Sequence, residues 1–281
     1  MPRIVQLSDL HFGAHDDAIV RAVADEVDAA RPDLVVISGD FTQRAKTEQF
    51  QEACRFLERL RDGGHEVLAV PGNHDVPLYD VLRRFLSPLA RYKRFIDDTL
   101  CPWHQLEGVS VLGLNTARSL TIKDGRINRD QIDFVRKHFA EVPSDHLKLL
   151  VTHHPLFALP VDNQGIVGKA IGRQELALDA VNDLGIDVLL AGHNHRASTF
   201  FARDLVTRAG GALVIQAGTA TSVRTREEVQ SFNVLEVSPH EVTLGLKRWT
   251  GEGFETAEPT RFVEREGAWS QAEVLADPAE A

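Results

Sequence analysis

Apolar segments of strand length alternate along the chain with segments in which apolar residues recur at helical spacing. In residues 17–30, for example, Ile19, Val23 and Val27 fall on one helical face. The predicted strands are RIVQLS (3–8), DLVVIS (33–38), EVLAV (66–70), VSVLGL (109–114), LKLLVT (147–152) and DVLLA (187–191). The predicted helices are 17–30, 48–61, a stretch near 78–96, 129–139 and a stretch near 173–184. This alternation predicts an α/β layered fold with a largely parallel sheet.

The pattern changes after residue 210, where ALVIQA, SFNVLEV and VTLGLKRW follow one another with short turns between them. We expect these segments to form C-terminal antiparallel strands that close the sheet system. From about Glu264 the chain is acidic and rich in alanine, with Trp269 and Val274 as its apolar residues able to dock. The prediction is a single domain over residues 1–263 and a loosely ordered acidic tail over residues 264–281.

Composition narrows the classes of function. Among 281 residues, 31 are Lys or Arg and 41 are Asp or Glu, which gives a net charge of −10. Proteins that bind a nucleic-acid backbone usually show the opposite balance, so no nucleic-acid polymer is expected as a partner. No apolar run approaches the roughly 18 residues of a membrane span, and the N-terminus MPRIVQLSDLHF lacks the features of a signal peptide. With two cysteines outside any metal-binding spacing, we predict a cytoplasmic protein with free thiols.

Polar side chains follow five of the predicted strands at the point where each strand ends. The five segments are Asp9-Leu10-His11, Gly39-Asp40, Gly72-Asn73-His74-Asp75, His153-His154-Pro155 and Gly192-His193-Asn194-His195. Ligands of layered α/β proteins bind outside the carboxyl ends of the strands, so these segments should converge on one place. The glycines permit sharp turns and close backbone approach.

Two carboxylates, an asparagine and several histidines at one place indicate a metal site. Oxygen and imidazole ligands suit Mn, Fe, Zn or Co better than Ca. The set is too large for one tetrahedral zinc and fits two metals about 3.5–4 Å apart, an arrangement used in phosphoester hydrolysis. The positive charge of two divalent ions exceeds the negative charge of Asp9, Asp40 and a hydroxide. The net positive charge would attract a phosphate ester.

The ordered series DLH, GD, GNHD, HHP and GHNH resembles the calcineurin-like metallophosphoesterase family over residues 9–195. In SDLHFG, PGNHDVP and THHPLF the chain is similar in form to the bacterial class III cyclic-nucleotide phosphodiesterases of that family. The resemblance implies a four-layer α/β/β/α sandwich, the metallo-dependent phosphatase fold. It implies two divalent or trivalent metal ions as cofactors, with Mn and Fe ahead of Zn and Co. It also implies that the chain could form a homodimer.

Carried over position by position, the resemblance implies a set of metal ligands. One ion would be bound by Asp9, His11 and His195, the other by Asn73, His153 and His193, and both by Asp40. His153 is preferred to His154 because the family ligand is the histidine two residues before the proline. His154 would then lie behind the ligands or face the substrate.

The resemblance also implies the catalytic groups. His74 would stabilise the transition state or protonate the leaving oxygen, and Asp75 would hydrogen-bond its imidazole. The nucleophile would be a hydroxide that bridges the metals. Substrate selection would come from residues 121–130 and 157–173, where Arg126, Lys169 and Arg173 are candidate phosphate contacts.

The favoured prediction is a two-metal phosphodiesterase that acts on a small organic or cyclic-nucleotide phosphodiester. A phosphomonoesterase and a UDP-diacylglucosamine-type pyrophosphate hydrolase are alternatives on the same core; the second branch typically carries Arg where this chain has His74. An alternative of another class is a non-catalytic scaffold with this fold. It is disfavoured because all seven proposed ligands and His74 are present. The natural substrate and the identity of the metals are left open.

Overall fold

The computed structural model describes residues 1–160, 168–224 and 228–272. The strands are β1 (Arg3–Leu7), β2 (Leu34–Ser38), β3 (Val67–Val70), β4 (Trp103–Leu106), β5 (Val109–Gly113), β6 (Leu147–Val151), β7 (Val188–Ala191), β8 (Ser198–Phe201), β9 (Leu213–Gln216), β10 (Ser231–Ser238), β11 (Glu241–Trp249), β12 (Phe254–Thr256), β13 (Thr260–Arg265) and β14 (Ala268–Gln271). The α-helices are α1 (Asp17–Ala30), α2 (Thr47–Asp62), α3 (Val81–Leu86), α4 (Ala90–Phe95), α5 (Arg129–Ala140), α6 (Gln174–Leu184) and α7 (Ala202–Leu205). A short 3-10 helix covers Asn73–Asp75.

The strands form two sheets. The first has the order β14-β13-β11-β10-β1-β2-β3, with β12 paired to β11, and the second has the order β4-β5-β6-β7-β9-β8. Strands β1, β2 and β3 are parallel, as are β5, β6, β7 and β9. Each parallel set is flanked by antiparallel partners, among them β10 beside β1 and β4 beside β5.

Alternation along the strands divides the core into layers. Ile4 on β1 and Val36 on β2 point toward the second sheet and share a cluster with Leu149 of β6. The neighbouring Val5 and Ile37 point the other way and pack with α1 and α2. On the far side, β5, β6, β7 and β9 pack in the same manner against α5 and α6. Successive side chains of a strand face opposite sides of its sheet, so these clusters confirm the predicted four-layer α/β/β/α sandwich.

Two elements differ from the sequence-based prediction. The helix predicted near 78–96 is two short helices, α3 and α4, with Pro88 between them. Proline lacks the N–H that helix hydrogen bonding requires, so a single helix cannot continue there. The segment ALVIQA forms β9, which is antiparallel to β8, as predicted, but parallel to β7 on its other side. Strands β10 and β11 are antiparallel, as predicted.

The predicted loose tail does not include residues 264–271. Strands β13 and β14 form a hairpin whose two-residue turn, Glu266 and Gly267, has positive φ at both positions. Trp269 on β14 is buried with the cluster that lies between the sheets. Residues 273–281 lie outside the described part, so the rest of the predicted tail, like the single domain over 1–263, stays a prediction. Among the described residues, no helix is long and apolar enough to cross a membrane.

Candidate metal centre

The five polar strand ends predicted to converge lie together at the carboxyl edge of both sheets. Within the first sheet, the backbone N–H of His11 donates to the carbonyl of Asp40 at 2.9 Å. Between the sheets, the backbone N–H of His193 donates to Asp9 Oδ2 at 2.9 Å. His153 Nδ1 likewise reaches the carbonyl of Ser38 at 2.8 Å. The site is therefore built from both sheets, and each ties the loops of the other in place.

A first cluster of ligand atoms comes from Asp9, His11 and His195, which all lie within 4.8 Å of one another. The Nε2 atoms of His11 and His195 are 3.0 Å apart. Asp9 Oδ1 lies 3.1 Å from His195 Nε2 and 3.6 Å from His11 Nε2. All three residues are buried. Two imidazole nitrogens and one carboxylate oxygen thus face the same small volume.

A second cluster joins Asn73, His153 and His193. Asn73 Oδ1 lies 3.2 Å from His153 Nε2 and 3.1 Å from His193 Nδ1, and these two nitrogens are 3.3 Å apart. Asp40 connects the clusters, because its Oδ2 lies 3.3 Å from His153 Nε2 and 3.8 Å from His11 Nε2. Asp40 therefore lies between the two clusters and is close to ligand atoms of both.

The backbone at these residues adopts a conformation that side chains other than glycine rarely take. Five of the converging residues have φ between 50° and 75°: Asp9, His11, Asp40, His193 and His195. Asp and His tolerate this left-handed region better than most residues. Such conformations persist only where the surrounding structure enforces them, and they concentrate at functional sites.

Glycine is required beside two of the converging residues. Gly39 has φ +91°, and a Cβ at this position would lie 2.5 Å from His153 Nδ1. At Gly72 a Cβ would overlap the carboxylate of Asp40. The two glycines thus allow backbone to pass directly behind the side chains of the site.

Backbone carbonyls orient two of the imidazoles. His153 Nδ1 donates to Ser38 O at 2.8 Å, and His195 Nδ1 donates to Arg224 O at 3.0 Å. With Nδ1 protonated in each neutral ring, the lone pair of Nε2 is directed into the site. A second hydrogen bond of this kind is how metal-binding histidines are usually held in one tautomer.

The charges of the site perturb one another. Burial opposes ionisation of Asp9, but the charge of His195 and hydrogen bonds from His11 and His195 hold its pKa well below the usual range. Asp40 is also buried, and His153 with His74 holds its pKa low. In return, the carboxylate of Asp40 overcomes burial and raises the pKa of His153 to about 9. Asp9, Asp40 and His153 therefore favour one another's charged forms.

The residues present fit divalent ions. Asp9 Oδ1 is fully buried, and the nearby Nε2 atoms of His195 and His11 can donate to it only when those nitrogens carry a proton. A buried polar atom without a partner is costly. Burial lowers the pKa of His11, which leaves its ring neutral and its lone pair available. Carboxylate, amide and imidazole donors together suit Mn, Fe, Co or Zn. A cation held by the first cluster would supply Asp9 Oδ1 with a partner when the neighbouring imidazoles carry no proton at Nε2.

The predicted contact between Asp75 and the imidazole of His74 is wrong. His74 Nδ1 lies 2.8 Å from the carbonyl oxygen of Gln43, which fixes the ring instead. Asp75 is buried and accepts hydrogen bonds from the backbone N–H groups of Phe41, Thr42 and Gly72. Burial, with the nearby carboxylate of Asp40, raises the pKa of Asp75 to about 7. Asp75 joins the loops that carry Asp40 and His74, and the sequence motif alone does not distinguish this contact from a contact with the ring.

His74 is close to both clusters. Its backbone N–H donates to Asp40 Oδ1 at 2.8 Å, and its ring lies edge-on to that of His11, with 4.8 Å between centroids. It also lines the adjoining cavity. The Gln43 carbonyl binds Nδ1 of the ring and not Nε2. His74 can therefore contact a molecule bound in the cavity while it lies beside the two clusters of ligand atoms.

His154 does not face this cavity, contrary to one of the two roles considered for it. Its ring is buried, its Nδ1 lies 2.8 Å from Thr116 Oγ1, and a Cβ at Gly125 would overlap it. Although its ring nitrogen comes within reach of His153 and His193, burial and its charged neighbours keep its pKa well below the usual value. His154 supports the loop over residues 116–125 from behind the second cluster.

A cavity of about 560 Å³ opens beside the two clusters. Of the three predicted phosphate contacts, Lys169 lines this cavity. Arg126 and Arg173 are exposed and are not among the described residues that line it. The predicted loop over 157–173 lies in part outside the described residues. The sequence-based prediction missed Arg44 and Tyr79, which line the cavity; Arg44 Nη1 donates to Tyr79 Oη at 2.6 Å. The signal for both was their position, four residues after the end of the GD and GNHD motifs.

Comparison with known proteins agrees with this geometry. A family model described as calcineurin-like phosphoesterase matches residues 2–197. The chain is 26% identical over 203 residues to a protein from Synechococcus named "Probable cyclic nucleotide phosphodiesterase", which covers 69% of this chain and 73% of that protein. It is 24% identical over 294 residues to a protein of the same name from Rhodococcus erythropolis, covering 94% and 91%.

The fold also matches solved structures. The purple acid phosphatase PPD1 of yellow lupin superposes with a TM-score of 0.70 at 12% identity, covering 98% of this chain and 57% of that one. At this identity the likeness concerns the fold alone.

Proposed function

Since the chain belongs to the calcineurin-like phosphoesterase family, we propose that it is a two-metal phosphodiesterase that hydrolyses a small organic or cyclic-nucleotide phosphodiester. The relatives named as cyclic-nucleotide phosphodiesterases favour a diester substrate. A net charge of −10 argues against a nucleic-acid polymer. We further propose a cytoplasmic location. A homodimer stays a prediction.

One observation carries the proposal: two clusters of ligand atoms share the carboxylate of Asp40. Asp9, His11 and His195 would hold one ion, and Asn73, His153 and His193 the other. Bound there, two metal ions supply the activation of water at neutral pH and the polarisation of phosphoryl oxygens that phosphoester hydrolysis needs. Mn and Fe are the proposed metals, with Zn and Co as alternatives.

The other residues of the site have distinct tasks in this proposal. The Nδ1 of His74 is held by Gln43 O, so a proton on its Nε2 is directed toward the cavity and could pass to the leaving oxygen of the diester. Asp75 positions both Asp40 and His74 through the backbone and does not contact substrate. Its role is therefore one of orientation, and His74 is the proposed catalytic residue.

The cavity suits a small anion. Five cationic side chains contribute to its lining: Arg44, Arg84, Lys123, Lys169 and Arg224. Its volume of about 560 Å³ falls within the range of about 300–1,000 Å³ that small-molecule sites occupy. Leu78, Tyr79 and Ile122 line the same cavity and offer apolar and aromatic surface for the organic part of an ester.

The experiment is a paired hydrolysis assay on protein reconstituted with Mn²⁺, with bis(p-nitrophenyl) phosphate as the diester and p-nitrophenyl phosphate as the monoester. We expect the diester to be preferred. His74→Ala should lose about 10²–10⁴-fold in turnover, as loss of a general acid does, and Asp40→Ala should lose turnover with its metal. The matched control is His240→Ala, because the side chain of His240 is 76% exposed and pairs with Glu264 away from the site.

Other outcomes would redirect the proposal. Preference for the monoester would identify a phosphomonoesterase on the same core. Turnover of a UDP-linked pyrophosphate without turnover of diesters would favour the pyrophosphate hydrolase. Two bound metals with no turnover of any of these would favour the scaffold and contradict the enzyme.

A further inference from the structure

An apolar surface lies exposed at the mouth of the candidate metal centre. Eight large apolar side chains on it are between 37% and 81% exposed, and we call this set the apolar face: Leu78, Tyr79, Val81, Leu82, Phe85, Leu86, Leu120 and Ile122. Within the described residues, only three other large apolar side chains are comparably exposed. Single exposed apolar residues are ordinary, but a contiguous group marks an interaction site.

Arg84 joins the two parts of the apolar face. Its guanidinium donates to the carbonyl oxygens of Pro77, Ser119 and Thr121 at 2.6–2.9 Å. These bonds fasten α3 to the loop that carries Leu120 and Ile122. The apolar side chains therefore project from a surface whose two segments are held together by hydrogen bonds, and they are not exposed merely because they belong to a loose segment.

The apolar face is continuous with the cavity. Leu78, Tyr79 and Ile122 belong to both, and Asn73 Nδ2 lies 3.4 Å from the carbonyl oxygen of Ile122. Whatever covers the apolar face will consequently border the entrance to the site.

Positive charge accompanies the apolar face in an otherwise acidic protein. Residues 78–96 contain five basic side chains, at positions 83, 84, 91, 93 and 94, and one acidic side chain, Asp80. Lys93 and Arg94 are exposed, and the basic Arg44, Lys123 and Lys169 rim the adjoining cavity together with one exposed acidic residue, Asp124, which pairs with Lys169. Exposed apolar residues combined with Lys and Arg are the combination that binds the headgroup region of an anionic bilayer.

We propose that the apolar face docks on an anionic lipid bilayer, with its apolar side chains at the headgroup boundary and the neighbouring cations against the lipid charge. A second copy of this chain is a poorer occupant, because two copies related by symmetry would bring the same positive surfaces together. Docking itself does not depend on the proposed catalysis. It places the cavity entrance at the membrane surface, so substrates would be taken from that interface.

The test is co-sedimentation of the intact chain with vesicles of phosphatidylcholine alone or of phosphatidylcholine mixed with phosphatidylglycerol. We expect binding to the anionic vesicles, weakened by salt, and little binding to the neutral ones. Leu82→Glu/Phe85→Glu should lower the partition coefficient about tenfold or more, since both side chains meet the bilayer in this proposal and neither lines the cavity. The matched control is Val229→Glu, because Val229 is an exposed valine that is not part of the apolar face.

A second variant guards against a folding defect. Lys93→Gln/Arg94→Gln leaves every apolar residue in place and should still weaken binding to anionic vesicles. Turnover of bis(p-nitrophenyl) phosphate in solution, measured on the same preparations, separates failure of docking from failure of the proposed function. Absence of binding to anionic vesicles, or binding that both double variants retain, would overturn the inference. So would a wild-type dimer that Leu82→Glu/Phe85→Glu converts to a monomer while vesicles bind neither form.

Discussion

Two glycines with nearly the same backbone conformation allow the geometry of the metal centre to be tested against a matched control. Gly39 has φ +91° and Gly64 has φ +85°. A Cβ at Gly39 would lie 2.5–2.7 Å from atoms of His153, whereas a Cβ at Gly64 would meet nothing within 4 Å. Gly64→Ala therefore measures backbone strain alone, and Gly39→Ala measures strain together with overlap on a proposed ligand.

The magnitudes follow from these contacts. Alanine at a φ that favours glycine costs roughly 1–3 kcal/mol, which applies to both variants. At Gly39 the overlap should add roughly 1–3 kcal/mol, because His153 is fully buried and its Nδ1 is held by Ser38 O, so the ring cannot simply move away. The expected loss in free energy of unfolding is thus about 2–6 kcal/mol for Gly39→Ala and about 1–3 kcal/mol for Gly64→Ala.

The assay is urea unfolding of both variants with isothermal titration of Mn²⁺. Displacement of His153 should weaken metal binding about 10–100-fold in Gly39→Ala, and Gly64→Ala should bind like the wild type. If Gly39→Ala unfolds like Gly64→Ala and binds metal with wild-type affinity, then Gly39 does not support His153 as described.

Three further predictions concern a buried hydroxyl, a proton and a catalytic group. The hydroxyl of Tyr92 is buried with no partner among the described residues, so Tyr92→Phe should keep or raise the free energy of unfolding by up to about 1–3 kcal/mol; a loss of similar size in urea unfolding would reveal a missed partner. His153 has its pKa raised from 6.5 to about 9 in the metal-free protein, so its stabilising effect is complete below pH 6.5 and is lost as pH rises toward about 9. The free energy of unfolding of chelator-treated protein should therefore fall between pH 6.5 and about 9. In the same pH range, Mn²⁺ binding should release a proton and its affinity should rise with pH. Calorimetry in buffers of different ionisation enthalpy that finds no proton release would contradict this. His74→Ala should keep full metal content by elemental analysis while losing turnover, and loss of metal would make His74 part of the binding site rather than the proposed proton donor.

The fold and the place of the site were predictable because both depend on local pattern. Alternation within strands such as RIVQLS divides Ile4 and Val5 between two layers, and parallel strands bring their carboxyl ends to one edge. Polar residues at the ends of β1, β2 and β3 therefore lie at one edge, those at the ends of β6 and β7 lie at another, and the packing of the two sheets brings both edges together. The family resemblance then indicated which of these residues would share a metal ion. The distances around Asp40 are consistent with that grouping.

The parts that could not be predicted depend on contacts between distant loops. Asp75 follows His74 directly, yet its carboxylate binds backbone at Phe41 and Thr42, which only the packing of neighbouring strands brings near. Arg173 is the last residue of the predicted binding loop, but it lies exposed just before α6 and is not among the described residues that line the cavity. Spacing along the chain does not determine such positions.

The hairpin at residues 264–271 was missed for a related reason. Its turn places Glu266 at a positive φ, where asparagine or glycine is the usual signal. The burial of Trp269 supplies an apolar anchor that the acidic composition of the segment conceals.

The central claim is that seven residues hold two metal ions joined through Asp40, and metal stoichiometry tests it most directly. Elemental analysis of protein reconstituted with Mn²⁺ should give two ions per chain for the wild type. His195→Ala and Asn73→Ala, each confined to one cluster, should each retain about one ion, and Asp40→Ala should bind fewer than either. A single ion in the wild type, or two in Asp40→Ala, would contradict the two-metal centre.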